Sequence, residues 1–170
     1  MRITLEMSEN LSKNLTYEES IFSPTAIRKG INNEPSFEQL VVMKNLSVNF
    51  FQPLRDHFGV AIHINSFYRS PELNKVIGGS SRSDHMILDN MTAAIDIDDV
   101  YSRRHGIYNA DIFYHIATYM KFYKLIWEFN ESIGGHNNPR WIDISYSLNQ
   151  ELNDKKIIMK TMDGKKYSKI

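Results

Sequence analysis

The chain has 170 residues, and its 20 Lys+Arg balance its 20 Asp+Glu. That length fits one ordinary domain, expected to span 1–170, and the neutral balance argues against a protein that holds nucleic acid or an anionic membrane through bulk charge. Hydrophobic residues at 42% support a real core, while the absence of cysteine excludes disulfide scaffolds, thiolate zinc fingers, iron–sulfur clusters and cysteine nucleophiles.

Met1–Asn10 lacks the cationic stretch and apolar run of a secretory signal. No window approaches the length of about 18 apolar residues that a membrane span needs, so the protein is expected to stay where it is made. Thr16 with Glu19, and Ser36 with Gln39, have the spacing of capping boxes that start helices. From Phe37, the apolar positions Leu40, Met43, Leu46 and Phe50 recur at helical spacing, predicting one amphipathic helix over 37–57 with Pro53 kinking its end. Gly59 ends that helix, and Val60–Ser66 reads as a strand. Ser70-Pro71 starts a short helix that Gly78-Gly79 stops. Ala93–Ile97 alternates as a strand, and Asn109 is placed to cap a helix through about Lys121. Three more strands follow at Lys124–Phe129, Trp141–Ser147 and Lys156–Met162, the last leading through an Asp163-Gly164 turn into a final short strand. Helices first and strands after predict an α+β fold, with N-terminal helices packed on a mostly antiparallel sheet.

Any metal in a cysteine-free chain must sit on His, Asp or Glu. His85 lies in a polar loop, Asp96 lies between Ile95 and Ile97, and Asp143 lies between Ile142 and Ile144. An acid inside a short apolar strand needs a partner or a wet face. Two strands each presenting one acid, with a loop His, can form a three-ligand metal site that leaves a position open for water. A plain sheet with one wet face explains the same alternation.

The segment SFYRSPELNKVIGGSSRSDH (66–85) resembles the signature of the M15 zinc peptidases, the D-alanyl-D-alanine carboxypeptidase group with its hedgehog-like fold. AAIDI (93–97) and WIDISY (141–146) are similar to that family's next ligand segments. LSKNLTYEE, TAIRKGINN and FQPLRDHFGVAIHINS are similar to its short phage and Bacteroidetes-type members, so the likeness runs over about 11–165. The resemblance implies zinc as cofactor, with His85 and Asp96 as first and second ligands and Asp143 at the third. It implies Arg69 as the grip on a substrate carboxylate, a task suited to a two-pronged planar donor, and Ser83 as a polar residue lining the substrate site. Glu128, in LIWEF, is the candidate general base. Arg69 pairing structurally with Asp96 or Glu128, Ser83 as a loop cap and Glu128 on the surface stand as alternatives. Tyr68 and Trp141 are expected in the core rather than against substrate.

The family pattern is broken twice. Its third ligand is His, where this chain has Asp143, and four extra residues (about Ile87–Asn90) separate His85 from Asp96. An Asp is shorter than a His, and a second carboxylate makes the centre less positive and a weaker acidifier of water. His136, in the loop GGHNNP, is a substitute third ligand, whereas Arg140 brings no second base. Two readings follow. One is an M15-fold protein without hydrolysis that serves as a binding or virion-assembly module of a phage. The other is a working zinc peptidase that cuts D-Ala-containing peptidoglycan peptides as a lysin. The expected partners are accordingly phage structural proteins or a peptidoglycan peptide, with no nucleic acid and no membrane, an oligomer being compatible with a virion role. The expected location is the virion or the host cytoplasm. The lysine-rich tail 155–170 is either a contact surface or a solvated edge hairpin.

Overall fold

A computed structural model describes residues 10–170. The stretch read above for a secretory signal therefore lies, except for Asn10, outside the described residues. Two short helices come first, α1 (Tyr17–Ile21) and α2 (Pro24–Lys29). Thr16 and Glu19 form the predicted capping box, and α2 repeats the Ser-Pro start and Gly stop seen later in the chain.

The predicted long helix runs as α3 (Phe37–Leu46), a wide π segment Ser47–Phe51, and α4 (Gln52–Phe58), closed by Gly59. The Gln52 N–H bonds to the Ser47 carbonyl, one residue further back than in an α-helix. This widening stands just ahead of Pro53, whose ring would otherwise press on the carbonyl four residues earlier. The extra residue lets neighbouring Phe50 and Phe51 both bury, alongside Met43, Leu46 and Leu54.

The strands are β1 (His63–Ser66), β2 (Thr92–Asp98), β3 (Lys124–Glu128), β4 (Glu131–Ile133), β5 (His136–Asn138), β6 (Trp141–Ser147), β7 (Ile157–Thr161) and β8 (Tyr167–Lys169). Six of them form one sheet in the order β1-β2-β6-β3-β7-β8, antiparallel except for the parallel pair β3–β7. β4 and β5 make a separate hairpin across Gly134-Gly135, both with positive φ. The helices α5 (Pro71–Val76), α6 (Asn109–Tyr119) and α7 (Gln150–Asn153) complete the chain. Among the described residues no helix is long and apolar enough to cross a membrane.

One face of the sheet is the core. Ala93, Ile95 and Ile97 of β2, Ile142 and Ile144 of β6, and Leu125 and Trp127 of β3 pack there against α3, α4 and α6. This is the α+β arrangement that the element order predicts. The start of α6 differs from expectation. Tyr108 precedes the helix, its N–H donating to Asp111, and Asn109 is the first helical residue. The fully buried Asn109 amide instead donates to Asp98 and to the carbonyls of Pro139 and Arg140, joining β2, α6 and the approach to β6.

Candidate metal centre

Alternation along the strands puts the other set of residues on the face away from the helices: Ala94 and Asp96 of β2, Trp141, Asp143 and Ser145 of β6, and Lys124, Ile126 and Glu128 of β3. They line one cavity of about 850 Å³, together with Arg69, Ser83 and His85. Asp96 and Asp143 stand directly opposite each other in adjacent strands. Like charges in that position are destabilising unless a cation lies between them.

His85 supplies the third group from a single turn of 3-10 helix, Asp84–Met86, that folds over the sheet. Four contacts fix the turn. The Arg69 N–H donates to the His85 carbonyl (3.0 Å), and His85 Nδ1 meets the Phe67 carbonyl at 2.6 Å. Ser145 Oγ donates to Asp84 at 2.7 Å, and Lys124 Nζ pairs with the same carboxylate oxygen at 2.5 Å. With Nδ1 held by a carbonyl, Nε2 faces the acids, 3.4 Å from Asp96 Oδ2 and 3.7 Å from Asp143 Oδ2. A ligating His is commonly oriented in this way.

The group fits a divalent cation. His85, Asp96 and Asp143 each offer an atom, all within 4.8 Å of one another. That is somewhat wider than the edges of about 3–4 Å of a tetrahedral site with bonds of about 2 Å, as two mutually repelling carboxylates require. His85 Nε2 and Asp96 Oδ1 are buried without a hydrogen-bond partner. Asp96 Oδ1 without a partner, and His85 Nε2 with only long ion-pair contacts, are costly in one cavity unless something binds them more closely.

Electrostatics point the same way. Burial pulls the His85 pKa down, but the Asp96 charge and the oxygens facing its ring nitrogen override burial and the Arg69 charge, raising it to about 9. Burial, then the neighbouring Asp96 charge, raises Asp143, with His85 and Lys124 opposing. Glu128, 5% exposed, is pushed up to about 8 by burial and by the charges of Asp143 and Asp96. It is a buried acid in the cavity rather than a surface residue. Arg69 places Nη2 on Asp96 Oδ2 (2.7 Å) and Nε on Ser66 Oγ (2.7 Å), so it makes the structural pair named above as one alternative. Ser83 lines the cavity, and its side chain makes no capping bond to the turn it precedes.

His136 sits exposed on β5 and neither lines the cavity nor belongs to the ligating group. The four extra residues are absorbed outside the site. Ile87 buries in the core with φ +52, Asn90 turns the chain at φ +51, and Asp89 accepts the N–H groups of Met91 and Thr92 at the head of β2. Tyr68 is core, its hydroxyl on Gln39, but Trp141 is not: it lines the cavity and packs on Phe129 with ring centroids 5.0 Å apart. The sequence reading also missed Lys124, Ser145 and Asp84. The first two share strand parity with Glu128 and Asp143, and Asp84 adjoins His85, which is the signal that marks them.

A layer of helices packs on one sheet face, and a His/Asp/Asp group that could hold a metal ion, with a buried acid beside it, stands on the other. The family model described as Peptidase M15 matches residues 13–117, and the chain belongs to that family. The match takes in Arg69, Ser83, His85 and Asp96 and stops before Glu128 and Asp143. No curated protein matches the chain.

Proposed function

We propose that this chain is a zinc-dependent peptide hydrolase acting on D-Ala-containing peptides of peptidoglycan, a lysin-type activity of phage origin. The observation that carries the reading is the meeting of His85, Asp96, Asp143 and Glu128 in one cavity, despite the changed third ligand and the insertion. His85, Asp96 and Asp143 would hold the ion. When bound, it supplies a positive charge that polarises the scissile carbonyl and acidifies water. Glu128 does the proton work: its carboxylate takes a proton from the attacking water and returns it to the leaving amine nitrogen. A carboxyl group in the cavity beside the ligand group can act first as base and then as acid. Arg69 keeps Asp96 oriented through Nη2 and leaves Nη1 for a substrate carboxylate. Ile126, Met159 and Trp141 add an apolar lining beside the acids, and a less polar surround strengthens the charge interactions there.

A second reading, a phage binding or virion-assembly module without hydrolysis, is favoured by the carboxylate at the third ligand position and by Arg69 already occupying Asp96. One experiment separates the two. Zinc is titrated calorimetrically into chelator-treated protein, and the loaded protein is incubated with muropeptides analysed by mass spectrometry. One-to-one zinc binding with released D-alanine or a cut cross-bridge supports the hydrolase. Zinc binding without product, or no binding, leaves the module.

A further inference from the structure

The far end of the cavity is built by residues that the catalytic reading does not use. The turn between β7 and β8 contributes Gly164 and Lys165 to the lining, and β8 contributes Tyr167. The register explains why. Trp141, Glu128, Thr161 and Tyr167 form one lateral row across β6, β3, β7 and β8, so Tyr167 projects from the same face as Glu128. The hairpin tip is also anchored. Phe129, immediately after Glu128, takes φ +58, a conformation that a bulky residue adopts only under constraint. In that conformation its ring packs on Trp141 and beneath Gly164, where an added Cβ would lie 3.1 Å from Phe129 Cζ. Gly164 itself has φ +69, so the tip is both left-handed and closely packed.

The polar ends of this wall are free for a ligand. The Tyr167 hydroxyl makes one long contact, 3.4 Å to the Gly164 carbonyl of its own turn. Burial, and then Glu128, Asp143 and Asp96, raise its pKa to about 12, so it is a neutral hydrogen-bond donor at working pH. Lys165 interacts with Asp163 in the same turn and belongs to the cavity lining. At the opposite end, Arg69 is tied to Ser66 and Asp96, on the β1–β2 side. From β2 to β7 the cavity crosses three strand spacings, about 14 Å, or about four residues of extended peptide. A peptide lying across the strands meets Arg69 at one end, the ligand group and Glu128 in the middle, and the hairpin at the other.

Resting on the hydrolase reading, we infer that the β7–β8 hairpin is a substrate-binding wall in which Tyr167 and Lys165 bind an anionic group of an extended peptide, on the side of the scissile bond opposite Arg69. This assigns part of the lysine-rich tail to recognition, while Lys155, Lys156 and Lys160 remain outside the cavity lining.

The test uses the full chain without zinc, so that binding is read without turnover, and then with zinc. The probes are a synthetic stem pentapeptide, L-Ala-γ-D-Glu-L-Lys-D-Ala-D-Ala, and its analogue with the γ-D-Glu carboxyl amidated. Binding is followed by tryptophan fluorescence, Trp141 being in the wall. The parent is expected to prefer the free acid. Lys165→Ala should weaken acid binding about fivefold to tenfold and erase the preference, as loss of one charge-assisted contact predicts. Tyr167→Phe should weaken both peptides by about fivefold, as loss of one hydrogen bond predicts. Zinc affinity of both variants should match the parent, and in the loaded protein the loss should appear in KM rather than kcat. Parent-like binding by both variants overturns the inference while leaving the hydrolase reading intact. A parent that neither binds nor cuts either peptide overturns the hydrolase reading and the inference with it. Changed zinc affinity in the variants also overturns it, because the hairpin would then act on the ligand group.

Discussion

Replacing Glu128 with Gln isolates the electrostatic cost of the site. In the metal-free protein, burial and then the charges of Asp143 and Asp96 hold this carboxyl at about 8 against an ordinary 4.5, with His85 and Arg69 opposing. The folded state therefore binds this proton more tightly than the unfolded chain, and stability falls as pH rises. The contribution is fully present below pH 4.5 and gone above about pH 8. At about 1.36 kcal/mol per pH unit, that interval sets a ceiling of about 5 kcal/mol. Because Asp143 and His85 share the protons, the working figure is about 2–3 kcal/mol. Gln is close in shape to Glu and does not titrate, so the variant lacks the pH-dependent loss. Urea unfolding with chelator present, at pH 5 and pH 8.5, measures the effect. Relative to the parent, the Glu128→Gln variant should gain about 2–3 kcal/mol on going from pH 5 to pH 8.5, or about 5–10 °C in Tm for a domain of this size. Hydrolysis should be lost at both pH values. A stability difference that is the same at both pH values refutes the account, whatever the activity does.

Zinc must displace the proton that Asp96 holds on His85 up to about pH 9, so apparent zinc affinity should rise about tenfold per pH unit from pH 6.5 to 8.5. Calorimetry in two buffers of different ionisation enthalpy should count about one proton released per ion, and an affinity flat in pH contradicts this. Asp143→Ala should weaken zinc by more than about 100-fold, since loss of a ligand exceeds the usual effect of losing an outer hydrogen-bond partner. Unchanged affinity would remove Asp143 from the site. Asn109→Ala removes one donor each from Asp98 and from the carbonyls of Pro139 and Arg140, with Asn65 and Asn138 still serving the first two, and should cost about 1–2 kcal/mol in chemical denaturation. A loss below about 0.5 kcal/mol would show that water replaces the amide.

Much of the fold was legible locally. Capping boxes at Thr16 and Ser36, the Ser70-Pro71 start and the alternation of 93–97 and 141–147 all mark elements by short-range chemistry, and the elements formed where those signals stand. The same signals were present at Ser23-Pro24 with Gly30 and at Gly134-Gly135, where α2 and the β4–β5 hairpin form. The π segment was not legible, because it answers a clash at Pro53 together with the demand to bury two adjacent phenylalanines. Asn109 read as a helix cap because a cap is a local role, whereas its buried bonds reach residues about thirty positions away.

The sequence by itself determined the ligand types, since a cysteine-free chain with acids alternating in apolar strands restricts a metal to His and carboxylates. It also determined which strand face each acid takes, because the pleat has a period of two. Only the tertiary structure decided that His85, Asp96 and Asp143 meet, and that the insertion and His136 stay outside. That convergence depends on register between β2 and β6 and on a turn tied down by Arg69, Lys124 and Ser145. Strand order and register are set by how the whole core packs, and no local pattern encodes them.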